Sequence, residues 1–238
     1  MNWKHAFTSS IGKKLVMGLT GISLIAFLCV HCYVNSLVFL PKTMVDGKMV
    51  TKEFNEAAHF LGTNLLMHIA EIGLFAGIIL HIVQGLMLTF QNRTKRPINY
   101  TIGASTTSNG KSEHPKKKAS WYSRSMGLLG TLILLFLLMH LWHFWGPNRM
   151  HQITEGGEIS LYDKMKETFS QFWVVIVYIL GCIALAYHLL HGFWSAFQTL
   201  GLSTSKYKPI IRGIGYAFSI IVPFIFIMMP IAFYEGWI

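Results

Sequence analysis

The sequence predicts an all-α integral membrane protein with five transmembrane helices, and three observations support this prediction. Of the 238 residues, 53% are hydrophobic and only 13% are charged. Because soluble domains carry about 25% charged residues, this composition argues against a soluble enzyme. Five long apolar segments alternate with polar ones, and each reaches the roughly 20 residues that a helix needs to cross a bilayer. Basic residues are concentrated in alternate polar segments, which is typical of a multi-span protein.

The five apolar segments are predicted to be helices, because hydrocarbon offers the backbone no hydrogen-bond partner and the sequence lacks the short alternating segments of a barrel. We expect one transmembrane domain over residues 1–238. Pro223 and Pro230 predict a kink in the fifth span. The predicted spans lie at about residues 15–40, 65–90, 126–145, 172–197 and 211–233.

The charges of the polar segments predict the orientation in the membrane. The N-terminal segment, the second loop and the fourth loop together contain 14 Lys and Arg residues and one acid, Glu113. The other polar segments contain 6 basic and 8 acidic residues. The positive-inside rule therefore places the N-terminus in the cytoplasm and the C-terminus outside. Because the basic residues lie between apolar runs, we expect no nucleic-acid partner for this chain of net charge +10.

The second loop is predicted to be a flexible, basic cytoplasmic segment over residues 101–118, since Ser, Thr, Gly and Lys dominate it. Two interpretations are equally open. The loop contacts anionic lipid headgroups or a partner subunit, or it is a solvated segment that only sets the orientation.

Histidines inside the predicted spans are the strongest functional signal. The chain has 11 histidines, and ionisable residues at membrane depth usually face the bundle interior for a functional reason. The seven within predicted spans are His31, His68, His81, His140, His143, His188 and His191.

Depth along each helix sorts these histidines into two levels. At ~1.5 Å per residue, His31 and His140 lie about 24 and 21 Å from the cytoplasmic end of the first and third spans. His81 and His191 lie about 14 and 10 Å from that end on the second and fourth spans. His140 is preferred over His143, which falls in an aromatic belt near the helix end. Depth does not decide between His188 and His191.

Two pairs of imidazoles at two depths predict two six-coordinate haems within a bundle of the first four helices. Neutral imidazole is a good iron ligand, and bundle cores are where facing side chains build cofactor sites. The sequence has no C-x-x-C-H motif, so the haems are expected to be non-covalent haem b. Zinc is less favoured, because its sites usually recruit clustered ligands, often thiolates.

The chain resembles the cytochrome b558 family, the di-haem membrane anchors of succinate dehydrogenase and fumarate reductase. The similar segments cover nearly the whole chain, and the fifth span is the least similar. They are S-S-I-G-K-K-L-V-M-G-L-T-G from Ser9, L-H-I-V-Q-G from Leu80, R-P-I-N-Y from Arg96, L-L-M-H-L from Leu137 and Y-H-L-L-H-G-F-W-S-A-F-Q-T-L-G from Tyr187.

The resemblance implies the haem ligands residue by residue. His31 and His140 would be the axial ligands of the distal haem. His81 and His191 would be those of the proximal haem, because the His-Gly pair of the family falls on His191 here. His188 would then be a neighbour of a haem propionate or of the quinone.

The resemblance also implies the function and the partners. The chain would anchor a flavoprotein subunit and an iron–sulfur subunit on the cytoplasmic side of a bacterial cytoplasmic membrane, as part of respiratory complex II and the tricarboxylic acid cycle. It would pass electrons between the iron–sulfur subunit and menaquinone. FAD and the iron–sulfur clusters would belong to the partner subunits, no dicarboxylate chemistry would occur on this chain, and the whole complex could form oligomers.

Four residues are predicted for the quinone side. Glu53 and Glu56 precede the second span, where a related fumarate reductase has its proton-accepting glutamate, although solvated loop acids are the simpler interpretation. His68 and Glu71 lie one helical turn apart near the outer surface and are suited to proton relay or quinone contact. A structural hydrogen bond between them is an equally good explanation.

Two other functions are compatible with intramembrane histidines. One is a di-haem anchor of another respiratory dehydrogenase, of the hydrogenase or formate dehydrogenase type. The other is a proton or metal transporter, for which internal repeats or broken helices are expected.

Overall fold

The computed structural model describes residues 9–45, 48–94 and 125–238. Eight α-helices and one short hairpin make up this part of the chain. In chain order the helices are α1 Ser10–Ser36, α2 Lys52–Thr63, α3 Leu65–Thr94, α4 Met126–His140, α5 Gly146–Thr154, α6 Leu161–Phe169, α7 Phe172–Thr199 and α8 Lys208–Tyr234. The hairpin pairs β1 (Thr43–Val45) with β2 (Lys48–Val50) in antiparallel register.

Five of the described helices are long and apolar enough to cross a membrane, as the sequence predicts. The chain is therefore described as a multi-pass membrane protein. The predicted loop 101–118 lies outside the described residues. The spans of the structure are Ile11–Phe39, Leu65–Gln91, Met126–Thr154, Phe172–Thr199 and Lys208–Tyr234.

The third span is longer than the predicted 126–145. After α4 the helix passes through a π turn, Leu141–Trp145, and continues without a break into α5. Pro147 does not end the helix; it lies at the start of α5, directly after the π turn, and the helix continues past it to Thr154.

The fifth span, α8, also continues through prolines. Pro223 and Pro230 both lie inside one uninterrupted helix and are almost fully buried. The continuous helix does not test whether the two prolines bend it, so the predicted kink stays a prediction.

Contacts between the spans show an up-and-down bundle. Gly77 of α3 lies beside Ser23 of α1, and Gly85 of α3 lies beside Met17 of α1. Because residue numbers rise along one helix and fall along the other, the two helices run antiparallel. Helix α1 contacts α3 and α7, α4 contacts α3 and α7, and α8 packs on the outside of α7 and against α1. The first four spans therefore form a closed ring of four helices.

The two ends of this bundle differ in charge. The basic end is the one where α1 begins, and its described side chains include Lys13, Lys14, Lys206, Lys208 and Arg212. The acidic end is the opposite one, where α2 and α6 lie. Its described acids are Glu53, Glu56, Glu155, Glu158, Asp163, Glu167 and Glu235.

The most tightly packed core lies at the acidic end. Val38, Phe54, Phe169 and Phe233 are buried together there, between the end of α1, helix α2, helix α6 and the end of α8. Thr51 is also buried, and its hydroxyl donates to the carbonyl oxygen of Val38 at 3.4 Å. The two short helices thus close this end of the bundle by apolar burial.

Gly181 of α7 sets the distance between α7 and α4. A Cβ atom at Gly181 would lie only 2.5 Å from Cδ2 of Phe136, whose ring stacks on His140 at 5.8 Å. We predict that Gly181→Val lowers the free energy of unfolding by about 1–3 kcal/mol, because the added side chain forces Phe136 away. The measurement is SDS-induced unfolding in mixed micelles, followed by circular dichroism.

Gly73→Val is the matched control for this change. Gly73 is also inside a spanning helix, but nothing lies within 4 Å of a Cβ placed there. Equal effects of the two substitutions on the unfolding midpoint would contradict the packing that we describe.

Candidate functional site

The first pair of histidines lies towards the acidic end, and we call it the acidic-end pair. It consists of His31 from α1 and His140 from α4, whose ring centroids are 5.8 Å apart at an interplanar angle of 90°. Phe27 stacks on His31 at 5.2 Å, and Phe226 of α8 contacts the same ring at 5.4 Å. Aromatic rings of α1 and α8 therefore pack against the imidazole of His31. His31 and His140 are the two residues that the sequence pairs by depth.

The second pair lies towards the basic end, and we call it the basic-end pair. It consists of His81 from α3 and His188 from α7, with ring centroids 6.2 Å apart at 67°. Glycines lie next to both rings. A Cβ atom at Gly21 would reach Cε1 of His81 at 3.8 Å, and one at Gly130 would reach Cε1 of His188 at 3.9 Å.

The structure and the family resemblance place different histidines of α7 opposite His81. The resemblance assigns His191, whereas the ring that the structure places opposite His81 is that of His188. A sequence signal for His188 exists on α7. His188 lies seven residues, or about two turns, after Gly181, which lies against Phe136 of α4. His188 therefore shares the face that meets the other helices, while His191 is rotated about 60° from it.

The two pairs occupy separate levels of the bundle. Thr20 contacts His81, and His31 follows Thr20 by 11 residues on the same helix. At ~1.5 Å per residue, the levels are about 16 Å apart along α1.

The ring spacing within each pair fits a metal between two imidazoles. Two imidazoles bound to one metal ion from opposite sides place their centroids about 6 Å apart, because a metal–nitrogen bond is about 2 Å and the ring centre lies about 1 Å farther. The observed spacings are 5.8 and 6.2 Å. In the described part of the chain, three or more His, Cys, Asp or Glu side chains nowhere converge on one point. A haem iron requires only two axial side chains.

Unsatisfied nitrogens give a second indication that these rings fit a cofactor. Nδ1 of His140 and Nδ1 of His188 are buried, and neither has a hydrogen-bond partner among the described residues. Buried polar atoms usually have a partner, so each of these rings has a nitrogen that a group other than the described residues would have to meet. In addition, none of the residues in the most apolar stretch of α3 is buried by the described chain. Lipid or a bound apolar group would have to cover this stretch.

His143 makes a different set of contacts from His140. Its Nδ1 lies 3.0 Å from the hydroxyl of Tyr178, and the two rings stack at 5.9 Å with an interplanar angle of 8°. His143 belongs to the π turn, and such turns are frequent at functional sites because they shift the helical register. Tyr178 thus gives Nδ1 of His143 a partner within the protein, and no ring contact joins His143 to any of the paired histidines among the described residues.

An open polar cleft of about 300 Å³ lies at the acidic end. His68 is among the residues that line it. Arg149 and Gln152 of α5 line it as well, and Arg149 donates to Oε1 of Gln152 at 3.1 Å. Sequence reasoning missed both, because the third span was expected to end before them. The remaining lining residues are Gly62, Thr63, Gly157 and Glu158.

The four predicted quinone-side residues fall in two places. His68 and Glu71 are together, with Nδ1 and Oε2 3.6 Å apart, and Trp145 donates its indole N–H to Oε1 of Glu71 at 2.5 Å. Glu53 and Glu56 lie on the exposed first turns of α2 and are not among the residues lining the cleft. Only the first two are therefore brought next to the polar cleft.

No family model, no curated protein and no solved structure matches this chain. What the protein does is therefore inferred from its residues and their geometry.

Proposed function

We propose that this protein is a di-haem cytochrome b, the membrane anchor of a succinate:quinone oxidoreductase. One observation carries the proposal. Four helices each contribute one histidine, and the four rings meet as two pairs at centroid distances of 5.8 and 6.2 Å. This spacing is compatible with ligation of one iron by two imidazoles, and two levels provide for two haems.

The four ligands that we propose are His31 and His140 for the acidic-end haem, and His81 and His188 for the basic-end haem. Haem b, when bound, carries one electron at a time. The chain contributes the axial imidazoles, the glycines that leave space beside them, and the apolar helices that exclude water. His191 is then a neighbour of the site rather than a ligand.

The basic end is the proposed cytoplasmic face and the docking side for the iron–sulfur and flavoprotein subunits. Charge supports this assignment, because basic loops stay in the cytoplasm. Arg212 and Lys208 at this end lie over the ring of Trp194, at 4.6 and 5.9 Å. These cations are exposed on the same side of the bundle as the basic-end pair.

The cleft at the acidic end is the proposed place for the quinone, with menaquinone as the expected substrate. Arg149, Gln152 and His68 bring hydrogen-bond donors to it, which suits the two carbonyl oxygens of a quinone ring. Glu71 contacts His68 and can exchange a proton with it. The exposed position of Glu53 and Glu56 makes them poorer choices for this role.

Replacing single histidines tests the haem ligands. We predict that His31→Ala and His140→Ala each remove one haem, and that His81→Ala and His188→Ala each remove the other, because each pair holds one iron. His191→Ala and His143→Ala should keep both haems. Reduced-minus-oxidised spectra and haem-to-protein ratios of the purified complex measure this. Loss of a haem from His191→Ala, with both retained in His188→Ala, would contradict the assignment.

Reduction by substrate tests the type of complex. In membranes that contain the native complex, we predict that succinate reduces haem b and that a dicarboxylate inhibitor such as malonate prevents this reduction. Reduction by hydrogen or formate instead of succinate would identify another dehydrogenase anchor. A purified chain without haem would favour a transporter.

Removing the proton donor tests the proposed quinone cleft. Glu71→Gln keeps the shape of the side chain but cannot exchange a proton at neutral pH, so quinone turnover should fall by at least about 100-fold. Succinate should still reduce both haems. Glu53→Gln is the matched control, an exposed glutamate at the same end of the bundle. A large loss in the control, with normal turnover in Glu71→Gln, would show that the quinone site lies elsewhere.

A further inference from the structure

Thr20 is the polar residue of the G-L-T-G segment of α1, and it is buried. Its hydroxyl oxygen lies 3.1 Å from Nδ1 of His81, across the interface between α1 and α3. The two residues are 61 positions apart in the chain, so this contact depends on the tertiary fold.

The direction of this hydrogen bond follows from the other contacts of the hydroxyl. Thr20 Oγ1 is 2.8 Å from the carbonyl oxygen of Val16 and 3.2 Å from that of Met17. A hydroxyl has one hydrogen, which the closer carbonyl accepts, so a lone pair of Oγ1 faces His81. This lone pair favours the tautomer in which Nδ1 of His81 is protonated and donates to Thr20. In a neutral imidazole with the proton on Nδ1, Nε2 carries the free lone pair.

Small residues bring α1 close enough for this contact. A Cβ atom at Gly18 would touch Thr199 of α7 at 3.4 Å, and one at Gly21 would touch Ala196 at 3.6 Å and His81 at 3.8 Å. These two glycines, which lie on both sides of Thr20 in the sequence, thus allow α1 to pack closely at the level of the basic-end pair.

The other paired histidines have no comparable contact among the described residues. Nδ1 of His140 and of His188 lacks a hydrogen-bond partner. Nδ1 of His31 lies 3.3 Å from the amide nitrogen of Asn35, on its own helix, and that amide donates to the carbonyl oxygen of His31 at 2.8 Å. In the parts of the chain that the structure describes, His81 is thus the paired histidine whose Nδ1 meets a side-chain oxygen of another helix.

We propose that Thr20 is a positioning residue that selects the tautomer of His81 and sets the reduction potential of the basic-end haem. This inference rests on the proposed function, because it assumes that His81 ligates iron. A second-shell acceptor holds Nδ1–H, presents Nε2 to the metal and increases the basicity of the imidazole. A more basic axial ligand stabilises the oxidised iron, so Thr20 lowers the potential of this haem relative to one without the hydroxyl.

The test is a redox titration of the native complex and of Thr20 variants. Thr20→Val replaces the hydroxyl by a methyl group of similar size. We expect the ratio of reduced to oxidised basic-end haem at a fixed potential to rise by about tenfold, a shift of about 59 mV for one electron. The acidic-end haem is the internal reference and should not shift. Thr20→Ser keeps the hydroxyl and should restore the native potential.

Ser23→Ala is the matched control on the same helix. Its hydroxyl donates to the carbonyl oxygen of Thr20 at 2.8 Å, and its removal should leave both potentials unchanged. Thr20→Ala serves as a second hydroxyl-free variant with a smaller side chain, so that one poorly folded variant does not decide the result.

The outcomes separate this inference from the proposed function. A rise in the potential of the basic-end haem, or its selective loss, in the hydroxyl-free variants, rescued by Thr20→Ser, supports the role of Thr20; a fall in that potential overturns it. Two bound haems with unchanged potentials in those variants overturn it, while the proposed function survives. A native protein without haem overturns both.

Discussion

The structure depends on the contact between imidazoles from different helices inside an apolar bundle. A histidine at membrane depth loses hydration that the surrounding hydrocarbon cannot replace, so it must find a partner within the protein or in a bound group. Here four such rings meet two by two, with each pair bridging two helices of the ring of four. Each pair therefore forms a contact between two helices at a depth where a single histidine would lack a polar neighbour.

The surroundings of the pairs explain why these rings and not others meet. At the acidic end, aromatic rings of α1, α4 and α8 hold the acidic-end pair in place. At the basic end, glycines of α1 and α4 lie beside the basic-end pair, and Thr20 of α1 accepts a hydrogen bond from His81. The π turn after α4 gives His143 its own partner, Tyr178, and keeps it away from His31.

The sequence was sufficient to predict the parts of the fold that depend on local properties. Apolar length gave the five spans, and helical rise gave the correct depth relation between His31 and His140. The sequence did not show whether His188 or His191 lies opposite His81. Both residues are at similar depth, and the answer depends on which face of α7 meets α4. Arg149 and Gln152 were missed for another reason. A Gly-Pro sequence normally indicates a helix end, but here Pro147 begins a new stretch of the same helix.

The separation of the two levels has a consequence for energetics. At about 16 Å, it is about half of the ~30 Å hydrocarbon thickness. With a membrane potential of 100 mV, moving one elementary charge between the two levels therefore changes its energy by about 1 kcal/mol, half the value for a full crossing. The orientation of the basic and acidic ends decides the sign of this contribution.

The most direct measurement is the number and ligation of haems in the purified native complex. Pyridine haemochrome analysis gives the amount of haem b per chain, and near-infrared magnetic circular dichroism of the oxidised protein identifies the axial ligands. The account predicts two haems b per chain, both with two histidine ligands. A chain with no haem, with one haem, or with a ligand other than histidine at either iron would contradict it.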